Sequence, residues 1–395
     1  MSDSRADFAE PVGLGAAPSS GAGGRRRYDT VEMLRFVAAL MVVFLHSTFY
    51  THERLDPSFP IYASGVNGVR LFFVISGFVM VVSSEKLIGT ADGWRVFATK
   101  RILRIVPLYW LITTVKLAIL IAVPAVVFHA AIDWDYIAKS YAFIPARNVE
   151  GEISPLLGVG WTLNFEMFFY ALFTFAIFAR LRPMAFLAPV LVGLSLLSLL
   201  RTSDWPVPIY FFSDPVVLDF LAGMLLALWA KRGLQLPAQL AWPVMALGMI
   251  GLFVPWTYPG GSSAAGDLLN SFIRTLLAAA VVLGAIALEA RLHGRLPRRV
   301  LFMGGASYSL YLIHPIVSPA APHILQKLGW HLPWLAVAGS IAIAIVASTI
   351  LYRFFEKPFS KIAERMAKRL GLLGNGAREP VSAGEGAAHG SSQRA

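Results

Sequence analysis

Residues 34–46 read LRFVAALMVVFLH, one apolar stretch with Arg35 near its start and His46 at its end. The stretch predicts the first transmembrane helix. An ionisable group placed in lipid costs about 2.5–3.5 kcal/mol on insertion scales, so one that is kept there marks a functional site. The two groups lie eleven residues apart, a helical rise of about 16 Å. The cation therefore belongs near one face of the bilayer. The imidazole belongs well inside it or near the other face.

The rest of the chain agrees with a membrane setting. Of 395 residues, 56% are hydrophobic and 14% are charged, against about 25% charged in a soluble domain. A spanning helix needs about 17–25 apolar residues. Ten stretches qualify as candidates: 34–50, 66–83, 105–128, 160–180, 184–200, 215–230, 241–257, 271–289, 301–321 and 333–352. The expected fold is all-α, a polytopic membrane bundle of about ten transmembrane helices. It occupies 28–358, between a disordered polar tail at 1–27 and a tail at 359–395 that is first basic and then rich in Gly and Ala. The N-terminal segment is too long and too polar for a cleavable signal. There is no cysteine, which excludes disulfides and thiolate chemistry. No metal-ligand spacing is visible, so no metal is expected.

Lys and Arg set the orientation. With the N-terminus in the cytoplasm, twenty-two of them fall in inside segments and five in outside loops. Both tails are then cytoplasmic. The net charge of +11 reflects this bias and contact with anionic lipid. It does not suggest nucleic-acid binding, because the charges are scattered over many short loops. The longest outside loop, 129–159, mixes aromatic and polar residues in the manner of an ordered cap or an interfacial helix.

Four further motifs carry chemistry. GVRLFFVISGF at 68–78 places Ser76 and Gly77 inside an apolar helix. They serve either close helix packing or a backbone opening for a ligand. No base adjoins Ser76 in sequence, which argues against a serine nucleophile. KRILRIVPLYW at 100–110 puts Arg101 and Arg104 on one helical face, with Pro107 fitting a first turn. The pair is either a topology anchor or a clamp for a pyrophosphate, since guanidinium forks bind phosphate oxygens bidentately.

GWTLNFEMFFY at 160–170 holds Glu166 about one turn inside its span, where a lone carboxylate needs a partner. The topology places His46 at a similar depth. A Glu166–His46 pair would fix the imidazole tautomer and raise its basicity, as a general base requires. GGASYSLYLIHP at 304–315 brings Tyr311 and His314 to a proline-bearing helix, where a histidine either caps freed carbonyls or joins the chemistry. Trp161, Asn164 and Arg70 are candidates for the acceptor side, and Asp219, Arg274 and Lys116 are further ionisable groups in spans. Glu356 in EKP reads as the interfacial end of the last span.

Taken together and in this order, these motifs resemble the membrane acyltransferase family 3, from Tyr28 to about Pro358. They are most similar to its branch that acetylates bacterial exopolysaccharides. The resemblance implies ten spans in the bacterial inner membrane, acyl-CoA (usually acetyl-CoA) as co-substrate, no permanently bound cofactor and a carbohydrate hydroxyl as acceptor. It implies His46 as catalytic base with Glu166 beside it. Arg35, Arg101 and Arg104, with Ser76 and Gly77, would serve the donor. Two positions depart from the pattern: Arg70 and Phe49 stand where relatives often carry acidic residues. A different class, a transporter or flippase for a glycan or a lipid-linked sugar, would also need polar groups in mid-bundle, but no internal repeat is visible.

Overall fold

The computed structural model describes residues 28–124, 131–233, 236–254 and 263–373. The expected tail 1–27, the C-terminal tail from 374 onward, and the ends of two expected spans (125–128 and 255–257) lie outside these residues. The described part of the chain forms helices joined by turns and loops, with one isolated bridge and no strand. In order it forms α1 (Asp29–Arg54), α2 (Asn67–Ser84), α3 (Gly93–Ala122), α4 (Trp134–Tyr141), α5 (Trp161–Phe178), α6 (Pro183–Leu197), α7 (Val207–Phe212) and α8 (Leu218–Lys231). Then come α9 (Ala238–Phe253), α10 (Ala264–Leu292), α11 (Arg298–Gly305), α12 (Ser307–Val317), α13 (Ala320–Lys327), α14 (Pro333–Leu351) and α15 (Lys357–Arg369).

All ten expected spans fall on helices, but not all are long enough to cross. Seven helical stretches among the described residues have the length and apolarity of a span, and a pair bent by 70°, α11 with α12–α13, makes up to eight. Helix α8 has 14 residues and α9 has 16, short of the usual minimum. The count of ten is therefore not reached on length.

Two other boundaries shift. Helix α3 starts at Gly93, so Pro107 sits in its interior and not in a first turn. Its ring leaves the Leu103 carbonyl without the usual partner. The segment after Pro358 does not begin a tail at once: α15 runs to Arg369 and presents Phe359, Ile362 and Met366 to the surroundings. The long loop expected on the outside holds a short helix, α4. Its Tyr136 and Ile137 are buried with Leu156 and Leu120, and Asp133 caps its start by accepting from the Asp135 and Tyr136 amides.

Helix α1 is the central element and touches α2, α10, α11, α12 and α14. Its first amides would be orphaned in the bundle. Glu289 of α10 satisfies them, accepting from Asp29 N (2.9 Å), Thr30 N (2.9 Å) and Thr30 Oγ1 (2.6 Å). Small residues set the spacing where lipid supplies no hydrophobic drive between helices. A methyl added at Gly77 would lie 2.1 Å from the Phe220 carbonyl oxygen, and one at Gly223 would lie 1.9 Å from that of Val74. Helices α2 and α8 thus pack backbone to backbone. Phe220 fills the gap beside them, stacked at 4.6 Å on Phe73 and 4.1 Å on Phe169 of α5.

Candidate active site

Arg35, Arg101 and Arg104 converge. Arg35 rises from the second turn of α1 and donates from Nε to Ser307 Oγ (3.3 Å). The 70° break after α11 is what brings the first residue of α12 there. Arg35 and Arg104 lie within electrostatic reach of each other and of Glu32, Glu166 and Glu356. Arg101 spreads over the rings of Phe97 (5.1 Å) and Tyr170 (5.4 Å) and donates to Ser83 Oγ. Its Nε is buried with no partner among the described residues. Arg104 is exposed and makes no ion pair among the described residues, while Arg35 and the three carboxylates are half-buried. The cluster is therefore open, with guanidinium donors to spare.

At the other end of α1, His46 is half-buried. Its Nδ1 lies 2.9 Å from the Val42 carbonyl oxygen. A carbonyl only accepts, so Nδ1 carries the hydrogen and Nε2 keeps the lone pair. The ring sits 4.9 Å from that of His314 at an interplanar angle of 61°. His314 is fully buried. By the same argument its Nδ1 donates to the Leu310 carbonyl (3.2 Å). Its Nε2 has no partner among the described residues. Tyr311 stands 6.0 Å from His314, and its hydroxyl bonds the Val159 carbonyl (3.0 Å) and Thr162 Oγ1 (3.0 Å). The start of α5 is thereby tied to the histidine end.

Glu166 is not the partner of His46. Its Oε1 accepts from Ser76 Oγ (3.1 Å) and from the Tyr170 hydroxyl, and it lies in reach of all three arginines. The reason is register. Thr162 bonds Tyr311, which packs beside His314, and Glu166 is four residues further along α5, about 6 Å toward the arginines. Gly77 is also reassigned. Its face is closed by the Phe220 backbone, so it packs helices and cannot open a passage. Ser76 keeps a place at the arginine end through Glu166.

The remaining candidates separate. Asn164 is buried, and its Oδ1 has no partner among the described residues. Arg70 pairs with the fully buried Asp219 at 3.2 Å and donates to Ser271 Oγ at 3.0 Å. Arg70 and Trp161 both line a cleft at the end of the bundle away from Arg35.

Residues 28–353 match the family model of an acyltransferase domain, that of acyltransferase family 3. The chain belongs to this family. As a family member it is a multi-pass membrane acyltransferase. It is 31% identical over 340 residues, 83% of this chain and 99% of the relative, to the exopolysaccharide production protein ExoZ of Rhizobium meliloti strain 1021. No solved structure matches it significantly.

Two residues of this candidate site escape a reading of the sequence. Glu356 sits in a single π-helical turn, Tyr352–Glu356, and accepts from Ser309 Oγ near Arg35 and Arg104. In sequence it looks like the end of a span. Glu32 stands three residues before Arg35 on the same helical face, and that spacing was the available signal.

Proposed function

We propose that this protein moves an acyl group, acetyl in the simplest case, from cytosolic acyl-CoA to a hydroxyl of a surface polysaccharide. It would act in the inner membrane of a bacterium, with both termini in the cytoplasm. The observation that carries the reading is the placement on one helix of an open three-arginine cluster and a histidine whose Nε2 lone pair is fixed by tautomer. The separation of about 16 Å is comparable to a pantetheine arm.

In this reading the phosphates of the donor rest on Arg104, Arg101 and Arg35, whose free donors suit bidentate phosphate binding. Glu32, Glu166 and Glu356 hold those side chains apart and oriented until the anion arrives. The thioester then reaches the histidine end. His46 Nε2 takes the proton of the acceptor hydroxyl, and the oxygen attacks the thioester carbonyl. The tetrahedral adduct collapses with loss of the CoA thiolate, which recovers the proton from the imidazolium and leaves as thiol. His314 packs against the imidazole and holds its plane. In the alternative route His46 attacks first and an acyl-imidazole passes the group on.

The test is a transfer assay with labelled acetyl-CoA and surface oligosaccharide on purified protein in proteoliposomes. His46→Ala should insert normally and transfer no label. Near-normal transfer by that variant removes His46 from the mechanism. Omitting the acceptor separates the two routes, since only the acyl-imidazole leaves label on the protein, lost in His46→Ala.

A further inference from the structure

The cleft at the far end of the bundle has a volume of about 560 Å³ and is charged in a way the transfer chemistry does not require. Its wall carries four guanidinium groups, Arg70, Arg147, Arg201 and Arg274, and two carboxylates, Glu152 and Asp214. Two arginines are locked by acids: Arg70 by Asp219 behind it at 3.2 Å, and Arg201 by Asp214 at 3.6 Å. Among the described residues, Arg147 donates to the Gly151 carbonyl at 2.7 Å and Arg274 to Asn67 Oδ1 at 3.4 Å.

Among the described residues the cleft keeps a cationic surplus, with four guanidinium groups against three carboxylates even when Asp219 is included. Arg274 also lies within electrostatic reach of Arg70. Like charges held together in a partly desolvated site are stabilised by an anion between them. Arg147 is exposed at the rim, and its backbone is bridged to Ile153 across the cap loop. Trp161 adds a broad apolar face in the same wall. Its neighbour Thr162 is the residue bonded to Tyr311, which connects the cleft to the histidine end.

We infer that this cleft is the acceptor subsite and that it takes an anionic glycan. A carboxylate or phosphate of the glycan is held by Arg147 and Arg274, and a sugar ring lies on Trp161. The inference rests on the transferase reading for what becomes of the glycan, but its charge selectivity is tested by binding alone.

The experiment uses the full-length protein in detergent and equilibrium dialysis of labelled oligosaccharides. These are released from the surface polysaccharide of the producing strain and prepared in three forms: native, carboxyl-reduced to primary alcohols, and dephosphorylated with hydrogen fluoride. Removal of the recognised anion should weaken binding about tenfold or more, as loss of a charge-assisted pair does. Sensitivity to carboxyl reduction identifies a carboxylate, and sensitivity to dephosphorylation a phosphate. Arg147→Gln and Arg274→Gln should each weaken native binding about tenfold and leave unchanged the binding of the form that lacks the recognised anion. Equal binding of all three forms, no binding of any, or full native affinity in both variants overturns the inference. Transfer from acetyl-CoA is measured alongside. Charge-selective binding without transfer strikes the transferase reading and leaves this one standing, whereas transfer with charge-blind binding does the reverse.

Discussion

The two ends of α1 carry the same liability, an ionisable side chain on an apolar helix, and resolve it in opposite ways. Arg35 is surrounded by charge, with Arg104 and three carboxylates in reach. His46 meets a backbone carbonyl and a second imidazole. A charged surrounding suits a site that must exchange its internal ion pairs for those of an incoming polyanion. A neutral surrounding suits a group that must give and take a proton, because no salt bridge claims its lone pair. The position of Glu166 fits this division, since it belongs to the charged end.

The division predicts which kinetic constant each end controls. His46→Ala should lower kcat by about 10²–10⁴-fold, the usual worth of a general base, and leave the donor KM within about twofold. A raised KM with intact kcat would mean that the two ends share one role. Locked charge should behave differently from open charge. Asp219→Ala strands Arg70 and should cost about 3–5 kcal/mol of stability, read as a lower denaturation midpoint in detergent. The double change Arg70→Met with Asp219→Leu should recover most of it. Arg104→Ala removes an open cation, so it should raise the donor KM about ten- to a hundredfold with kcat and the denaturation midpoint little changed. An unchanged KM would reduce the cluster to a topology anchor. Ser76→Ala leaves Glu166 its Tyr170 partner and should cost about 1 kcal/mol, seen as a small rise in donor KM.

Local patterns were legible from sequence, and tertiary registers were not. Arg101 and Arg104 share a face because three residues separate them, and no tertiary knowledge is needed to see it. Arg35 and His46 are connected by one unbroken helix, so their separation can be counted. Glu166 was misplaced because its depth was counted from the end of its own span, as if every helix began at one level. The bond from Thr162 to Tyr311 fixes the true level, and nothing local in the sequence announces it. Gly77 shows the converse limit. Its neighbour across the interface is the Phe220 backbone, which carries no motif, so the sequence left packing and an opening both open. Glu356 was hidden by its place at the end of a span, where a carboxylate is ordinary. The π-helical turn that aims it inward leaves no composition signal.

The break between α11 and α12 has a consequence for evolvability. A continuous span would bury its peptide N–H groups in its own ladder. By restarting at Ser307, beside Arg35, the chain sets a row of backbone donors at the arginine end, since the opening amides of a helix have no intrahelical partners. These donors cannot be deleted by changing a side chain, and they lose no rotamer freedom when they grip an anion. An anion brought to this end would thus meet contacts that do not depend on which side chains surround them.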